Sequence, residues 1–417
     1  MPPSPLPDDA EARLAELGAA EVVFGVLSYQ NARTIGEVVR SLEKGARTHF
    51  PDARGVLVHS DAGSTDETVD AAARSAGDLP VVRLVHGGVS TQRAMPPAHG
   101  VPGGDVGLRG LCVAARRLSA RAVLLVGADL RSLPDIWMDR LLRPIWGGEL
   151  DFVTPLYARP ALDGTLTTCL LYPLTRALYG SAVRHVVPSE AALSAALVAR
   201  LADGHGWSTA ATRSAPLYLG TTASATGARL GEAWLGARDA EGREGRLDLG
   251  DLVSEVVGTA FALAELYEEQ WREAGPRPAP RRFGESLAAP SDTPPASQAR
   301  MVSVFRQGLR DLVSIWEQAL SAGTLGDLYP LGDLAPEEFV FSADLWARVV
   351  YDFLLAYHFR VLHRDHLLRS LVPLYMGRTA ALCREASGLS GAAQARLLER
   401  QARAFERARA DFADRWR

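Results

Sequence analysis

Short apolar runs alternate with helix-like segments along the first third of this 417-residue chain. Four runs rich in β-branched residues cover residues 22–27, 56–59, 81–85 and 122–126. Between them, apolar residues recur at helical spacing. This alternation is typical of βαβ units, which build a parallel sheet and place ligands at the carboxyl ends of its strands. We therefore predict an α/β fold with a mostly parallel sheet.

The alternation stops near residue 251. Residues 252–271, 302–321, 343–361 and 392–416 show helical periodicity without intervening strands. Because the chain is longer than a single core usually supports, we predict two domains. They are an α/β domain at 18–245, after an N-terminal extension at 1–17, and a C-terminal helical domain at 246–417. Within the helical domain, the Pro-rich residues 275–297 are predicted to form a loop.

Composition excludes several classes of partner. A net charge of −4 and a pI near 6.2 favour small-molecule ligands over nucleic acid. No apolar run reaches the roughly 18 residues of a membrane span, and the N-terminus lacks the basic and apolar regions of a secretion signal. Three scattered cysteines fit a reducing compartment. We expect a cytoplasmic protein, and the sequence leaves a homo-oligomer open.

The loops after the first, second and fourth strands carry polar side chains suited to a nucleotide. These residues are Ser28, Tyr29, Asn31, Ser60, Asp61, Gly63, Asp129 and Arg131. A nucleotide needs an aromatic face or polar groups for its base and a cation or metal for its phosphates. Two alternatives remain. Asp61 with Ser64 also fits an Asx-turn and helix cap, and Asp129 also fits an ordinary loop acid.

Five segments together resemble the GT-A glycosyltransferases that make glucosylglycerate and mannosylglycerate. They read GVLSYQNARTIGEVVRSL at 25–42, VLVHSDAGSTDET at 56–68, LLVGADLRSLPDIW at 124–137, DGTLTTCLLYPLTRALYG at 163–180, and LWARVVYDFLLAYHFRVLHRDHLLRSLVPLYMGRTAAL at 345–382. The blocks occur in the family's order and extend from about residue 20 to about residue 385. This resemblance implies a GT-A-like fold for the first domain.

The resemblance also implies substrates and site residues. It suggests a nucleoside-diphosphate sugar as donor, a divalent metal (Mg or Mn) on its phosphates, and a small carboxylate acceptor such as glycerate. By matching motif, Tyr29 and Asn31 would line the nucleotide pocket and Asp61 would contact the base. Asp129, the second acid of a D-x-D-like motif, would bind the metal.

The chain departs from the family pattern at four places. The first acid of the D-x-D-like motif is Gly127, and a lysine expected in a Pro-Gly-Lys-Gly segment is Gly104. A Gly-Gly-Asp-Phe-Gly block is replaced by residues 188–192, where Glu190 is the remaining acid. The metal-binding histidine expected after LGAR falls at Asp239 or Ala240, and Asp239 is a candidate oxygen ligand in its place.

Other groups are candidates to compensate for these losses. Arg109, Arg131 and Arg378 are candidate phosphate partners, and Glu190 is a candidate catalytic residue near the acceptor. Each arginine has an alternative as a solvated or ion-paired residue. Tyr375 and Arg378 lie in a Pro-flanked turn that is predicted to close over the sugar-nucleotide pocket, although Tyr375 also fits a packing role in the core.

Two functions follow. The first is metal-assisted transfer of a hexose from a nucleoside-diphosphate sugar to a small polar acceptor. A departing diphosphate must be stabilised by metal or cations, and several such contributors are missing here. The second is therefore a catalytically degenerate homologue that binds a nucleotide sugar or a protein partner without efficient transfer.

Overall fold

The structure is a computed structural model that describes residues 6–86, 104–160, 163–208, 213–241, 249–286, 298–389 and 391–417. The predicted α/β class, with a mostly parallel sheet and a helical C-terminal region, is confirmed. The four predicted strands are all present. Pro102 and Gly103 of the altered Gly-rich segment lie outside the described residues, as do residues 1–5 and 287–297.

The strands are β1 (Val22–Ser28), β2 (Gly55–Asp61), β3 (Val81–Val85), β4 (Ala122–Gly127), β5 (Phe152–Tyr157), β6 (Ala191–Ser194), β7 (Leu230–Gly236) and β8 (Arg281–Phe283). The first ten helices are α1 (Asp8–Leu17), α2 (Ile35–His49), α3 (Thr68–Arg74), α4 (Gly104–Arg117), α5 (Asp135–Trp146), α6 (Tyr172–Tyr179), α7 (Ala195–Asp203), α8 (Ala215–Ala225), α9 (Leu249–Leu266) and α10 (Glu268–Glu273). The others are α11 (Gln298–Asp311), α12 (Val313–Ala319), α13 (Ala322–Leu328), α14 (Ala343–His358), α15 (Arg364–Ser370), α16 (Val372–Ala386) and α17 (Gly391–Arg415). A π-helical turn at Thr167–Leu171 precedes α6, and 3₁₀ turns occupy His205–Ser208 and Tyr329–Gly332.

In the described part of the chain, the strands form one sheet in the order β3-β2-β1-β4-β6-β5-β7-β8. β6 runs antiparallel to β4 and β5, and the other neighbouring pairs are parallel. β8 corrects the prediction of a loop throughout residues 275–297. Its three residues pair with β7 at the edge of the sheet, and so short a strand leaves no periodic signal in a Pro-rich stretch.

Opposite faces of β1 meet different helices. Phe24 and Val26 belong to an apolar core that also contains Val38 of α2 and Trp137 of α5. Gly25, between them, faces the other way, and a Cβ there would lie 2.4 Å from a methyl group of Leu111 in α4. Because successive residues of a strand point to opposite faces, the sheet is covered by helices on both sides.

The chain divides into two compact units. The first comprises Met1–Ala158, Val187–Arg246 and Pro280–Leu287, and the second comprises Arg159–Val186, Leu247–Ala279 and Ala288–Arg417. This division differs from the predicted domains because 159–186 belongs to the helical unit and β8 to the sheet unit. One contact joins residues 159–186 to the rest of the second unit. Arg176 of α6 forms an ion pair of 2.6 Å with Glu399 of α17.

The second unit has an aromatic core. Trp271 of α10 packs against Phe412 and against Trp416, which follows α17, with ring centroids 5.4 and 5.5 Å apart. Tyr351 of α14 stacks on Phe412 at 4.5 Å.

Cys112, Cys169 and Cys383 are buried as free thiols. Among the described helices, none combines the length and the apolar character that a membrane crossing needs.

Candidate active site

The carboxyl ends of β1, β2 and β4 lie side by side. In the register of the sheet, Leu27 is opposite Gly127, and Ser28 is opposite Asp61. The chain runs from β1 outward through β2 to β3 and then returns to place β4 on the other side of β1. In open α/β sheets, such a reversal opens a crevice outside the carboxyl ends of the strands, where ligands bind. The predicted loops therefore meet at one edge.

The first two of these loops are tied together by buried side chains. The Ser28 hydroxyl donates to Asp61 Oδ2 at 2.7 Å and lies 2.7 Å from His59 Nε2. Because a hydroxyl has only one proton to donate, Nε2 of His59 is the donor toward Ser28. Burial lowers the pKa of His59 to about 4, so the imidazole is neutral near pH 7. Ser28 is fully buried, and its hydroxyl is hydrogen-bonded within the protein.

Asp61 does not present its carboxylate to the crevice. Its Oδ1 accepts from the backbone N–H groups of Gly63 and Ser64 at 3.0 and 2.7 Å. Its Oδ2 accepts from the hydroxyls of Ser28 and Ser64, both at 2.7 Å. A carboxylate offers about four acceptor positions, and only 1% of Asp61 is exposed. The Asx-turn alternative therefore describes the contacts of Asp61, and its contact with a base stays a prediction.

Gly63 and Ser60 serve the same loop. Gly63 has a φ of +85°, a conformation that favours glycine, and its N–H closes the turn on Asp61. Ser60 is buried, and its hydroxyl lies 3.0 Å from His86 Nε2. Burial lowers the pKa of His86. Both residues make contacts within the protein that support the loop. Their role toward a nucleotide stays a prediction.

Tyr29 and Asn31 occupy the turn after β1. The Asn31 side-chain oxygen accepts from the Tyr29 N–H at 2.9 Å, and the Asn31 N–H donates to Thr68 at 2.8 Å. Both residues are half-buried. The backbone of this turn is thereby fixed against the second loop, so the Tyr29 ring is held in place at the edge. A nucleotide pocket lined by Tyr29 and Asn31 stays a prediction.

The loop after β4 is joined to the segment after β7. The Arg131 N–H donates to the Asp239 carbonyl at 3.0 Å, and the Glu241 N–H donates to the Asp129 carbonyl at 2.7 Å. The hydroxyl of Thr34, the residue before α2, donates to the Ala128 carbonyl at 2.6 Å. The backbone around Asp129 is therefore held from two sides.

An arginine that the sequence analysis did not select lies at the centre of this region. Nη2 of Arg238 is 2.8 Å from Asp129 Oδ1 and 3.1 Å from Glu190 Oε1. Nε of Arg238 also donates to Glu190, and the Tyr157 hydroxyl donates to the other oxygen of Glu190. We call these four residues, Asp129, Tyr157, Glu190 and Arg238, the Arg238 cluster.

Burial and charge define the Arg238 cluster. Glu190 is fully buried, whereas the side chains of Arg238 and Asp129 keep 23% and 31% of their surface exposed. Burial disfavours the charged guanidinium, but the carboxylates of Glu190 and Asp129 outweigh it and raise the pKa of Arg238. Burial and then the charge of Glu190 raise the pKa of Tyr157. The cluster therefore holds a permanent cation with its hydroxyl partner protonated.

Gly127 leaves the space that the Arg238 cluster fills. A Cβ at this position would lie 2.6 Å from Asp129 Oδ1, 3.0 Å from Glu190 Oε1 and 3.1 Å from Arg238 Nη2. Contacts of 2.6 Å are shorter than van der Waals packing allows. The Arg238 cluster therefore occupies space that the side chain of an acid at position 127 would enter.

The residues do not fit the divalent metal that the resemblance implies. Asp129 Oδ1 is bound to a guanidinium, and the exposed carboxylate of Asp239 lies 3.9 Å from the exposed Arg131. Within the ranges that the structure describes, no three His, Cys, Asp or Glu side chains are grouped so that they could hold a metal ion. The metal pair of Asp129 and Asp239 stays a prediction, and each of these carboxylates lies beside an arginine.

The other predicted residues have separate outcomes. Arg109 is half-buried on α4, and its Nε has no hydrogen-bond partner among the described residues, so its role toward phosphate stays a prediction. Arg378 of α16 is fully buried in the second unit, where it pairs with Glu385 at 2.7 Å and with Gln401 at 2.7 Å. Its N–H groups are used inside a core, and its role as a phosphate partner stays a prediction.

Tyr375 is also a residue of that core. It is 6% exposed, and its hydroxyl lies 2.5 Å from the hydroxyl of Thr165 in the same unit. Burial raises the pKa of Tyr375. The packing alternative therefore describes the surroundings of Tyr375, and its contact with a nucleotide stays a prediction.

Tyr157 and Arg238 had detectable signals that the sequence analysis did not use. Arg238 is the last residue of the LGAR motif, where only the following position was considered as a ligand. Tyr157 ends β5, whose apolar run was not assigned as a strand. Gly127, where the resemblance implies an acid, leaves space for another side chain, but which residue fills it depends on the position of β7 in the sheet.

Comparison with known proteins gives a likeness at the level of solved structures. No protein-family model matches the chain, and no curated protein matches it by sequence. A glucosyl-3-phosphoglycerate synthase from Mycobacterium tuberculosis in complex with phosphoglyceric acid shares 21% identity, with 60% of this chain and 83% of that chain covered and a TM-score of 0.40. The same synthase with Mn²⁺, UDP-glucose and phosphoglyceric acid shares 20% identity over 61% and 84%, also at 0.40.

A structure described as a mycobacterial protein shares 22% identity, covering 61% of this chain and 78% of that chain, again with a TM-score of 0.40. At this identity and TM-score the likeness concerns the fold alone.

Proposed function

We propose that this chain binds a nucleoside-diphosphate sugar at the carboxyl ends of β1 and β4 and transfers its hexose to a small polar acceptor. The observation that supports this most is the Arg238 cluster, where a partly exposed guanidinium lies 2.8 Å from a partly exposed carboxylate. A diphosphate is recognised by a cation with N–H donors, and sugar hydroxyls are recognised by carboxylate oxygens. The guanidinium of Arg238 therefore suits the diphosphate, and the carboxylate of Asp129 suits the sugar hydroxyls.

The chemistry assigned to this pair follows from the charges that change in the reaction. The bond between the anomeric carbon and the diphosphate oxygen breaks, and its electron pair leaves with the nucleoside diphosphate. The acceptor hydroxyl oxygen bonds to that carbon and loses its proton to solvent. Negative charge grows on the departing diphosphate. The guanidinium of Arg238 stabilises that charge, while Asp129 accepts hydrogen bonds from sugar hydroxyls. Glu190 is a positioning residue, since its buried carboxylate orients Arg238.

The acceptor is proposed as a small anionic polar molecule. Glycerate and 3-phosphoglycerate are the acceptors to test, because the resemblance implies the first and phosphoglyceric acid is bound in the similar synthase structures. Both carry an anionic group, for which Arg109 is a candidate partner through its unpaired Nε among the described residues.

A second function has its own support. Asp61, the expected base contact, has its acceptor positions filled, and Arg378 is enclosed in the second unit. A chain that has lost these contacts but kept the Arg238 cluster would bind a nucleotide sugar without efficient transfer. This function differs from the first by the absence of a product.

The test combines binding with product analysis. The protein is incubated with UDP- or GDP-hexoses and with glycerate or 3-phosphoglycerate, and glycoside formation is followed by mass spectrometry while donor binding is measured by calorimetry. Arg238→Met is expected to lower turnover by about 10²-fold or more. Arg40→Met, which removes an exposed arginine paired with Glu37 on α2, is the matched control and should behave as the unchanged protein.

The outcomes separate the two functions. A glycoside that disappears with Arg238→Met supports transfer, and donor binding without product supports the second function. If none of the nucleotide hexoses binds, both are overturned.

A further inference from the structure

The Arg238 cluster already holds a cation against the acid that was expected to bind a metal. Asp129 Oδ1 is 2.8 Å from Arg238 Nη2, which is a charge-assisted hydrogen bond of ordinary length. The same Nη2 reaches Glu190 at 3.1 Å. One guanidinium therefore bridges two carboxylates, in the manner in which a divalent ion bridges acidic ligands.

Gly127 leaves the space in which this arrangement forms. A Cβ at this position would lie within 3.1 Å of Asp129, Glu190 and Arg238. A side chain at 127 would therefore force the ends of these three side chains to shift from the geometry of the bridge.

The backbone keeps Arg238 in this position. The residue after it, Asp239, receives a hydrogen bond from the Arg131 N–H at 3.0 Å, and Gly236, two residues before it, receives one from the Ala158 N–H at 2.8 Å. Glu190, which is fully buried, would lose its cationic partner if the guanidinium moved out. Leaving a buried carboxylate with only the Tyr157 hydroxyl as a partner is unfavourable, so the bridge is expected to persist when a ligand binds.

Electrostatics acts against a metal ion at the same place. A divalent cation on Asp129 would lie within a few ångströms of the Arg238 guanidinium, whose repulsion offsets part of the attraction of the two carboxylates. Its remaining ligands would have to come from solvent or the donor, because within the described ranges no group of three metal-ligating side chains exists.

We infer that Arg238 replaces the divalent metal in this protein, so that the diphosphate of the donor is bound and released against a guanidinium without a metal ion. The inference rests on the proposed donor site. Nε and Nη2 hold the carboxylates, and the two N–H groups of Nη1 are assigned to the diphosphate. The expected ligand class is a nucleoside diphosphate whose affinity does not depend on Mn²⁺ or Mg²⁺.

Two measurements on the full chain test this inference. In the first, Mn²⁺ alone is titrated into the protein and followed by electron paramagnetic resonance. The unchanged protein should show no stoichiometric Mn²⁺ site. One tightly bound Mn²⁺ per chain, lost in Asp129→Asn, would overturn the inference whether or not the donor proposal holds.

In the second measurement, UDP-glucose and GDP-mannose are titrated by calorimetry in the presence of EDTA and again with Mn²⁺. The affinity should be the same within about threefold, and Arg238→Met should lower it by about tenfold or more in both media. Arg238→Lys, which keeps the charge but loses the two-carboxylate bridge, should be intermediate. A donor that binds only with Mn²⁺ contradicts the inference.

Failure of the donor proposal would look different. If neither nucleotide sugar binds in either medium, the proposed function fails, while the Mn²⁺ titration still decides whether Arg238 excludes a metal. Circular dichroism and thermal unfolding of each variant show whether it is folded, and Arg40→Met again serves as the control for loss of an arginine charge.

Discussion

Nη2 of Arg238 lies 2.8 Å from Oδ1 of Asp129, which joins two residues 109 positions apart in the chain at the carboxyl end of β4. The contact exists because β7 returns beside β5 and the segment after β7 pairs with the loop after β4. It gives the edge of the sheet a fixed cation, and it uses the acid that the sequence resemblance assigned to a metal.

Gly127→Ala tests the space around this contact. The added Cβ would lie 2.6 Å from Asp129 Oδ1, so the carboxylate and the guanidinium must separate. We expect the affinity for UDP-glucose, measured by calorimetry, to fall by about tenfold. Gly323→Ala is the control, because no atom lies within 4 Å of a Cβ there. Unchanged affinity in Gly127→Ala would show that the cluster does not bind the donor.

Asp61→Asn separates a structural acid from a base contact. The amide group would face donors from Ser28, Gly63 and Ser64 with one acceptor oxygen instead of two. We expect the free energy of unfolding to fall by about 2 kcal/mol, because buried donors lose a charged acceptor. Nucleotide affinity of the folded protein should change little.

The control for Asp61→Asn is Asp70→Asn, which alters an exposed acid on α3. Denaturant unfolding and calorimetry give the two readouts. A large loss of nucleotide affinity without loss of stability would restore Asp61 as a ligand of the base.

The buried His59 predicts a pH dependence of stability. Burial lowers its pKa from 6.5 to about 4 in the folded protein, so the unfolded chain binds the proton more readily between these values. The free energy of unfolding therefore falls as the pH falls from 6.5 toward 4, by up to about 3 kcal/mol from this residue. His59→Gln, whose amide can still donate to Ser28, should flatten the slope. An equal slope in urea unfolding of the variant and the unchanged protein would contradict this origin.

Arg378→Met tests the assignment of Arg378 to the core of the second unit. The change leaves Glu385 and Gln401 without their shared partner, and we expect a loss of stability of about 3 kcal/mol. Arg384→Met, an exposed position on the same helix, should have little effect. The measurement is thermal unfolding together with nucleotide affinity. A stable Arg378→Met variant with lost donor affinity would mean that Arg378 reaches a phosphate after all.

The sequence was sufficient for the parts of the fold that depend on local periodicity. The runs that became β1 and β4 are apolar and β-branched, and a strand buried on both faces has this pattern. β6 and β8 were not predictable in the same way, since they span four and three residues. The helix α6 also looked like part of the sheet domain, because its partner Glu399 lies more than two hundred positions later.

The location of the candidate site could be predicted from the sequence, but the roles of its residues could be predicted only in part. The loops after β1, β2 and β4 meet at one edge because parallel strands end together. Whether an acid faces a ligand or its own turn depends on hydrogen bonds over a few ångströms, and Asp61 satisfies all of its acceptors internally. The partner of Asp129 could not be derived from spacing, because Arg238 reaches it through the pairing of distant strands.

A crystal structure of the protein grown with UDP-glucose and Mn²⁺ tests the central claim most directly. The account predicts that Nη1 of Arg238 lies about 3 Å from a diphosphate oxygen, with the guanidinium still bridging Asp129 and Glu190 and no ion between them. A Mn²⁺ ion coordinated by Asp129 with the Arg238 side chain displaced, or a donor bound away from this edge of the sheet, would contradict it.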